Sequence, residues 1–517
     1  MTERKLWFNI LLVLFISGLI TFSHLGSLSL FDPDEPVYAE TAREMIQFQD
    51  FISPRIYGEF WYDKPPMYYW LVAGAFKMFG VGEFAARFPS AFLAVIGVAV
   101  VYLSGRKLFS DRAALLSALI LTTSLEYFYL SNAAVTDMTL TFFMTAALLS
   151  FLHRHYYMFY GWTALAVVTK GPIGVVFCGG IVGLYLLFTG NLGLLKRMKI
   201  VRGTALFAVI ALPWYLMMYH YHGMAFVDTF LGFHNVTRFL QPEHSSGILW
   251  YYYIPVLIVG FFPWTPFLVQ AFFAALRENG QNRNYGIFLV IWASVVFLFF
   301  TLSQTKLVSY ILPMYPPLAL LVGWYFDKAW REKDYRVLKW FAAIFTMLVI
   351  ILELGLFYAG KLVTSQLFFS VQVLAGMFVL VLAFVWWMSY RQNFRGAFCV
   401  NVIGMLAFIT ILMAQIFPAV VPIFSTKGFV NEFKQHYDGK TPVYIADFYR
   451  PSFMFYSDLP SNQIKLPETL PVILDKPGKA YFIVKKKEYE KLSPALQSKV
   501  RVLAIQEDKI LFVREFD

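Results

Sequence analysis

Cysteine and charge are the two things this sequence has least of. Its 517 residues include only two cysteines, Cys178 and Cys399, and both lie within apolar runs. That excludes an extracytoplasmic disulfide framework and a cysteine metal cluster. Charged residues make up 15% of the chain, where a soluble globular protein carries about 25%. Hydrophobic residues reach 59%, more than an ordinary core can absorb. The apolar runs approach the ~20 residues that cross a bilayer as helix, which excludes a barrel built from strands of ~10 alternating residues. Acidic residues are outnumbered by basic ones, 32 to 43, for a net charge of +11. In a polytopic protein such an excess orients the helices from the cytoplasmic loops, and no nucleic-acid partner is expected.

The reading is an all-α polytopic membrane protein of about thirteen transmembrane helices. The first run, Leu6 to Phe22, follows Arg4 and Lys5 and lacks a small-x-small cleavage site before Asp32, so it is expected as a retained span. Further spans are expected near 83–104, 112–131, 137–155, 158–170, 171–189, 203–221, 249–273, 285–302, 307–326, 337–358, 368–389 and 396–417. With the N-terminus cytoplasmic, alternate loops collect the basic residues, among them Arg106, Lys107, Arg112, Lys196, Arg197, Lys328, Arg331 and Arg391. The short loops on the opposite side hold almost none, which favours this orientation over its inverse and puts the C-terminus outside. The stretch 158–189, interrupted by Lys170, Gly171 and Pro172, is read as two spans, since one would put the later basic loops on the wrong side.

Two outer loops are expected, 27–82 and 222–248, within a membrane domain of residues 1–426. From 427 to 517 the composition turns polar. A helix-like stretch, Gly428 to Tyr437, precedes strand-like runs at Val443–Ala446, Ala480–Val484, Val500–Ile505 and Ile510–Val513. This reads as a small periplasmic α/β domain.

The residues able to do chemistry gather on the outer side. Asp34 and Glu35, adjacent between Pro33 and Pro36, suit a general base or a cation site, or simply the start of a helix. In Asp63-Lys64-Pro65-Pro66 the lysine could grip a phosphate, or form a surface ion pair with its neighbour. His234 and Arg238, four apart, could share a helical face as metal ligand and phosphate partner; a lone interfacial histidine is also commonly unliganded. Lys306 and Tyr310 open the tenth span, where both also serve as interfacial anchors. Asp137 stands at the outer mouth of the fourth span. Cations beside carboxylates at one depth suit a phosphate-bearing lipid whose bond to phosphate is to be broken.

At these residues the chain resembles a known family. Asp34-Glu35-Pro36-Val37-Tyr38-Ala39-Glu40, Arg43-Glu44-Met45 and Tyr62-Asp63-Lys64-Pro65-Pro66 are similar to the first periplasmic loop of the bacterial aminoarabinose transferases, within the protein-mannosyltransferase-like group of GT-C glycosyltransferases. The resemblance extends over Asp137, His234 to Arg238, Trp250-Tyr251-Tyr252 and Lys306 to Leu312. It implies a GT-C-like fold in the bacterial inner membrane and an inverting transferase that uses a polyprenyl-phosphate sugar, with undecaprenyl phosphate as the carrier. The acceptor it implies is lipid A or another envelope glycan. By the same resemblance Asp34 matches the essential first-loop carboxylate, Lys64 and Arg238 the donor-phosphate ligands, Asp137 a second functional carboxylate and Tyr310 a site-lining residue. It also implies a divalent ion, zinc or magnesium, at Asp63 and His234, although Asp63 replaces the family's glutamate. A protein- or glycan-directed O-glycosyltransferase on the same scaffold would differ only in acceptor. A lipid or solute transporter should show inverted repeats and midplane charges, and neither is evident.

Overall fold

The computed structural model describes residues 3–237, 240–241, 249–363, 365–464, 466 and 469–515. Its contacts divide the chain into two compact units. The first comprises Met1–Leu25, Tyr62–Leu71 and Arg87–Met413, the second Gly26–Trp61, Val72–Ala86 and Ala414–Asp517. Composition alone drew a boundary at 426/427; by contacts, the C-terminal segment groups with most of the first outer loop.

The first unit is helical. Among the described residues, seven helices are long and apolar enough to cross a membrane, and nine if two bent pairs each count as one span. The bent pairs are Asp111–Thr122 with Leu125–Ser131, at 64°, and Tyr253–Gly260 with Thr265–Arg277, at 113°. Thr136–Leu152 and Ile173–Phe188 are shorter apolar helices. Every one of the thirteen predicted runs contains helix, but by length and composition the count of spans is lower than predicted. Breaks and short helices make the difference.

The stretch 158–189 is two helices, Tyr156–Lys170 and Ile173–Phe188. Gly171 closes the first at φ +88°, a left-handed conformation that side chains resist. Where the sequence predicts a loop after 221, helix Ile200–Phe226 instead breaks at Gly223 and runs on as a π-helix over Val227–Thr237.

In hydrocarbon no hydrophobic force drives helix association, so close packing must supply it. Helix Asp111–Thr122 meets Tyr315–Glu332 where Gly323 lies over Ser117; a Cβ there would stand 2.7 Å from the Ser117 backbone nitrogen. Aromatic stacking does the same elsewhere, with Phe267 and Phe341 at 4.6 Å between ring centroids and Trp264 and Phe398 at 4.9 Å.

In the second unit a hairpin, β1 (Arg55–Ile56) and β2 (Glu59–Phe60), follows helix Asp34–Gln47. A five-stranded mixed sheet is built from β3 (Val443–Ala446), β4 (Asn462–Ile464), β5 (Ala480–Lys485), β6 (Val500–Gln506) and β7 (Lys509–Arg514), in the order β4-β3-β5-β7-β6. β4 and β5 run parallel to β3, while β7 runs antiparallel to β5 and β6. All four predicted strands are present. β4 escaped because Asn-Gln-Ile carries no strand pattern; it forms by pairing with β3 through Tyr444 and Asn462. Helix Lys427–His436 buries Phe429, Val430 and Phe433 in the same core.

Helix Asp34–Gln47 packs on helix Arg450–Ser457 within this unit. Arg43 Nη1 donates to the Phe455 carbonyl at 3.1 Å and its Nη2 to Glu40 Oε1 at 2.7 Å. Asp32, buried, accepts from the Ser452 backbone N–H at 2.8 Å and from the Ser452 hydroxyl. Burial pushes the Asp32 carboxyl up to about 8 against the pull of those bonds. Burial likewise raises Glu40 to about 7, opposed by Arg43.

Candidate active site

In the first unit a pocket of about 280 Å³ is lined by Asp63, Lys64, Lys170, His234, Thr305 and Tyr310 among others. Asp63 and Lys64 precede Pro65 and Pro66, which open helix Met67–Phe79; proline costs nothing at a helix start because its missing N–H has no partner there anyway. Tyr62 anchors the segment, its hydroxyl 3.1 Å from His222 Nδ1.

Lys64 Nζ and His234 Nδ1 both converge on Asp63 Oδ1, each at 2.7 Å. On the other side, Lys170 Nζ stands 2.6 Å from Asp137 Oδ1 and 4.7 Å from the centre of the Tyr310 ring. Asp137 lies in the first turn of helix Thr136–Leu152 and Lys170 ends helix Tyr156–Lys170, so each charge complements its helix dipole. Each ammonium is balanced by a carboxylate, which lowers the cost of holding two cations in a partly buried pocket. An anionic ligand can recruit both ammonium groups.

The structure brings together Asp63, Lys64, His234 and Tyr310 of the predicted set, and joins Asp137 through Lys170. Lys306 is buried and does not line the pocket; its ammonium donates to the Ser303 carbonyl, and burial lowers its pKa. Asp34 and Glu35 belong to the second unit. Asp34 is exposed at the first residue of its helix, while buried Glu35 accepts from the Phe31 N–H at 2.8 Å through Oε2. The helix-start reading of this pair therefore has a bond behind it. Arg238 lies outside the described residues.

Lys170 was missed as a site residue. The sequence offered it only as an interruption between apolar runs; the usable signal was a lone lysine at the same outer level as Asp137.

Asp63 and His234 supply two donors toward a metal ion. Among the described residues no group of three His, Cys, Asp or Glu could hold one, and a structural or catalytic zinc takes three or four protein ligands. These residues do not make a closed metal site, and no chemical step below depends on one.

The fold and this site define a polytopic helical membrane protein with a charged pocket at one end of its bundle. A family profile described as dolichyl-phosphate-mannose-protein mannosyltransferase matches residues 63–217. An uncharacterized protein of Aquifex aeolicus (strain VF5) is 31% identical over 362 residues, 68% of this chain and 81% of its own length. The undecaprenyl phosphate-alpha-4-amino-4-deoxy-L-arabinose arabinosyl transferase of Pectobacterium carotovorum (strain PC1) is 30% identical over 379 residues, 68% of this chain and 66% of that enzyme. The chain thus spans slightly under two thirds of that curated relative.

The crystal structure of ArnT from Cupriavidus metallidurans bound to undecaprenyl phosphate has the same fold, with a TM-score of 0.83 at 21% identity, covering 98% of this chain and 97% of that one. An Archaeoglobus fulgidus oligosaccharyltransferase in complex with zinc and sulfate is a more distant match, at TM-score 0.50 and 12% identity over 94% of this chain and 71% of that one. Over residues 63–217 the chain is therefore similar to the protein-mannosyltransferase family.

Proposed function

We propose that the protein transfers a sugar, with inversion, from a polyprenyl phosphate, undecaprenyl phosphate in particular, to an acceptor at the periplasmic face of the bacterial inner membrane. The arrangement that carries this reading is Lys64 and Lys170 lining one pocket, each partnered by a carboxylate. In the reaction the bond between the anomeric carbon and the phosphate oxygen breaks. The electron pair leaves on the polyprenyl phosphate, and the acceptor oxygen bonds to the opposite face of the carbon. Charge grows on the leaving phosphate as the bond stretches, so Lys64, Lys170 and Arg238 would bind the transition state more tightly than the ground state.

Asp34, with Glu35 beside it, would take the proton of a hydroxyl acceptor; an already ionised phosphate needs no base. Asp137 holds Lys170 in place. The accompanying topology is thirteen crossings with a cytoplasmic N-terminus and a periplasmic C-terminal domain. Aminoarabinose transfer to lipid A is the favoured pairing, supported by the similarity to the Pectobacterium enzyme. Transfer to protein is a second reading, favoured by the description of the family profile over residues 63–217. Mass spectrometry of lipid A and of envelope glycoproteins, with and without the gene, tests both. Loss of a lipid A sugar supports the first, loss of a protein glycan the second, and loss of neither refutes the proposal.

A further inference from the structure

At the other end of the same bundle lies a second polar pocket, of about 470 Å³, lined by Lys5, Arg112, Asn282, Trp324, Asp327 and Arg331 among others. Asn282 and Phe299, one in each pocket, share helix Gly280–Leu302. Seventeen residues of helix put them about 26 Å apart, close to the thickness of the hydrocarbon core. The two pockets therefore face opposite membrane surfaces.

The second pocket is organised around Asp327, which is 1% exposed. Its Oδ2 accepts from Ser110 Oγ at 3.1 Å and from Arg331 Nε at 3.1 Å, and its Oδ1 accepts from Arg112 Nε. One guanidinium would balance one carboxylate; here there are two, so a positive charge is left over. Asp111, the other acid in the lining, is paired with Arg106. Lys5 adds a further cation.

Both arginines approach Asp327 through Nε, the inner corner of the guanidinium. A guanidinium bonded at Nε keeps its end-on edge, between the two terminal amino groups, which can bind phosphate oxygens in pairs. Arg112 is held in its orientation by the face of Trp330, 4.5 Å from the ring centre. A pocket that only neutralised Asp327 would need neither the second guanidinium nor the lysine.

We propose that this pocket binds a phosphate group, either the headgroup of an anionic lipid in the leaflet opposite the catalytic pocket or a free phosphate. Basic pockets between spans are suited to such headgroups. The site is independent of the transfer reaction proposed above.

The test uses full-length protein in nanodiscs of phosphatidylcholine, titrated with phosphatidylglycerol and read by native mass spectrometry. The variant is Lys5→Gln with Arg331→Gln; Arg112 is kept because it holds the buried Asp327. The expected result is at least tenfold weaker binding of one lipid per protein, with other bound lipids unchanged. A parallel titration with inorganic phosphate separates the sources: lipid retained in excess phosphate identifies the headgroup, while phosphate bound in its place identifies the free ion. If the double variant does not fold, Asn282→Asp, which puts a carboxylate into the pocket and leaves both arginines, should give the same loss. Equal binding by wild type and a folded variant, or binding of neither probe by wild type, would overturn the proposal.

Discussion

Asp137 and Lys170, 33 positions apart in sequence, meet at 2.6 Å, and the same ammonium lies over the Tyr310 ring. The pair joins a helix start to a helix end and delivers a cation to the pocket that neither residue could supply alone. Removing one partner leaves a charge in a site where both side chains are about nine-tenths covered, at a cost of about 3–5 kcal/mol. Lys170→Met should therefore lower both the folded yield and transfer. The double variant Lys170→Met/Asp137→Leu should recover the yield but not transfer, since the phosphate-facing cation is still missing. Recovery of turnover in membranes given a polyprenyl-phosphate sugar would show that Lys170 is only structural.

Lys64 is placed to stabilise the leaving phosphate. Lys64→Ala should reduce kcat by about 10²-fold or more while KM changes little, because the interaction strengthens as the bond breaks. Steady-state kinetics at saturating donor separate this from simple weakening of donor binding, which would appear as a raised KM at unchanged kcat.

Asp63 Oδ1 is shared by Lys64 and His234 at 2.7 Å each, and these residues offer a metal only two donors, Asp63 and His234. Dialysis against a chelator should leave transfer within about twofold of the untreated enzyme, on the argument that two donors fall short of a zinc site. Loss of activity that returns on adding zinc would mean that further ligands come from outside the described residues.

In the second unit, Arg43 compensates buried Glu40 and binds the Phe455 carbonyl. Arg43→Ala should destabilise that unit by about 1–3 kcal/mol, because a buried acceptor and a buried carboxylate both lose their donor. Hydrogen exchange over residues 450–457 should rise in the variant; unchanged protection would refute the coupling.

Asp32 and Glu40 set a pH dependence. Burial raises their folded pKa values to about 8 and about 7, above the unfolded values of 3.8 and 4.5. Between those limits the folded protein binds more protons than the unfolded chain, so stability is greatest at low pH within the window and falls as pH rises through it. Each group contributes a slope of at most about 1.4 kcal/mol per pH unit. Asp32→Asn should flatten the decline between roughly pH 4 and 8 by one group's share. Thermal unfolding across that range checks it, and an unaltered slope would show that Asp32 does not carry the effect.

Much of the fold was legible in the sequence because its causes are local. A shortage of charge and long apolar runs dictate membrane helices, and short runs rich in β-branched and aromatic residues dictate β3, β5, β6 and β7. Gly171 and Pro172 divide a long apolar stretch whatever surrounds it. The pocket was half legible: Asp63, Lys64, His234 and Tyr310 carry chemistry that their residue types announce.

What only the tertiary structure decided is pairing. It made Lys170 a pocket cation by bringing the end of its helix against the start of the helix bearing Asp137. It also joined Asp32 to Ser452, 420 positions away, and gave Asn462–Ile464 a strand partner. The physical reason is common to all three. Helix and strand propensities act over a few residues, while an ion pair or hydrogen bond between distant segments exists only after packing has removed the water that would otherwise satisfy each group by itself.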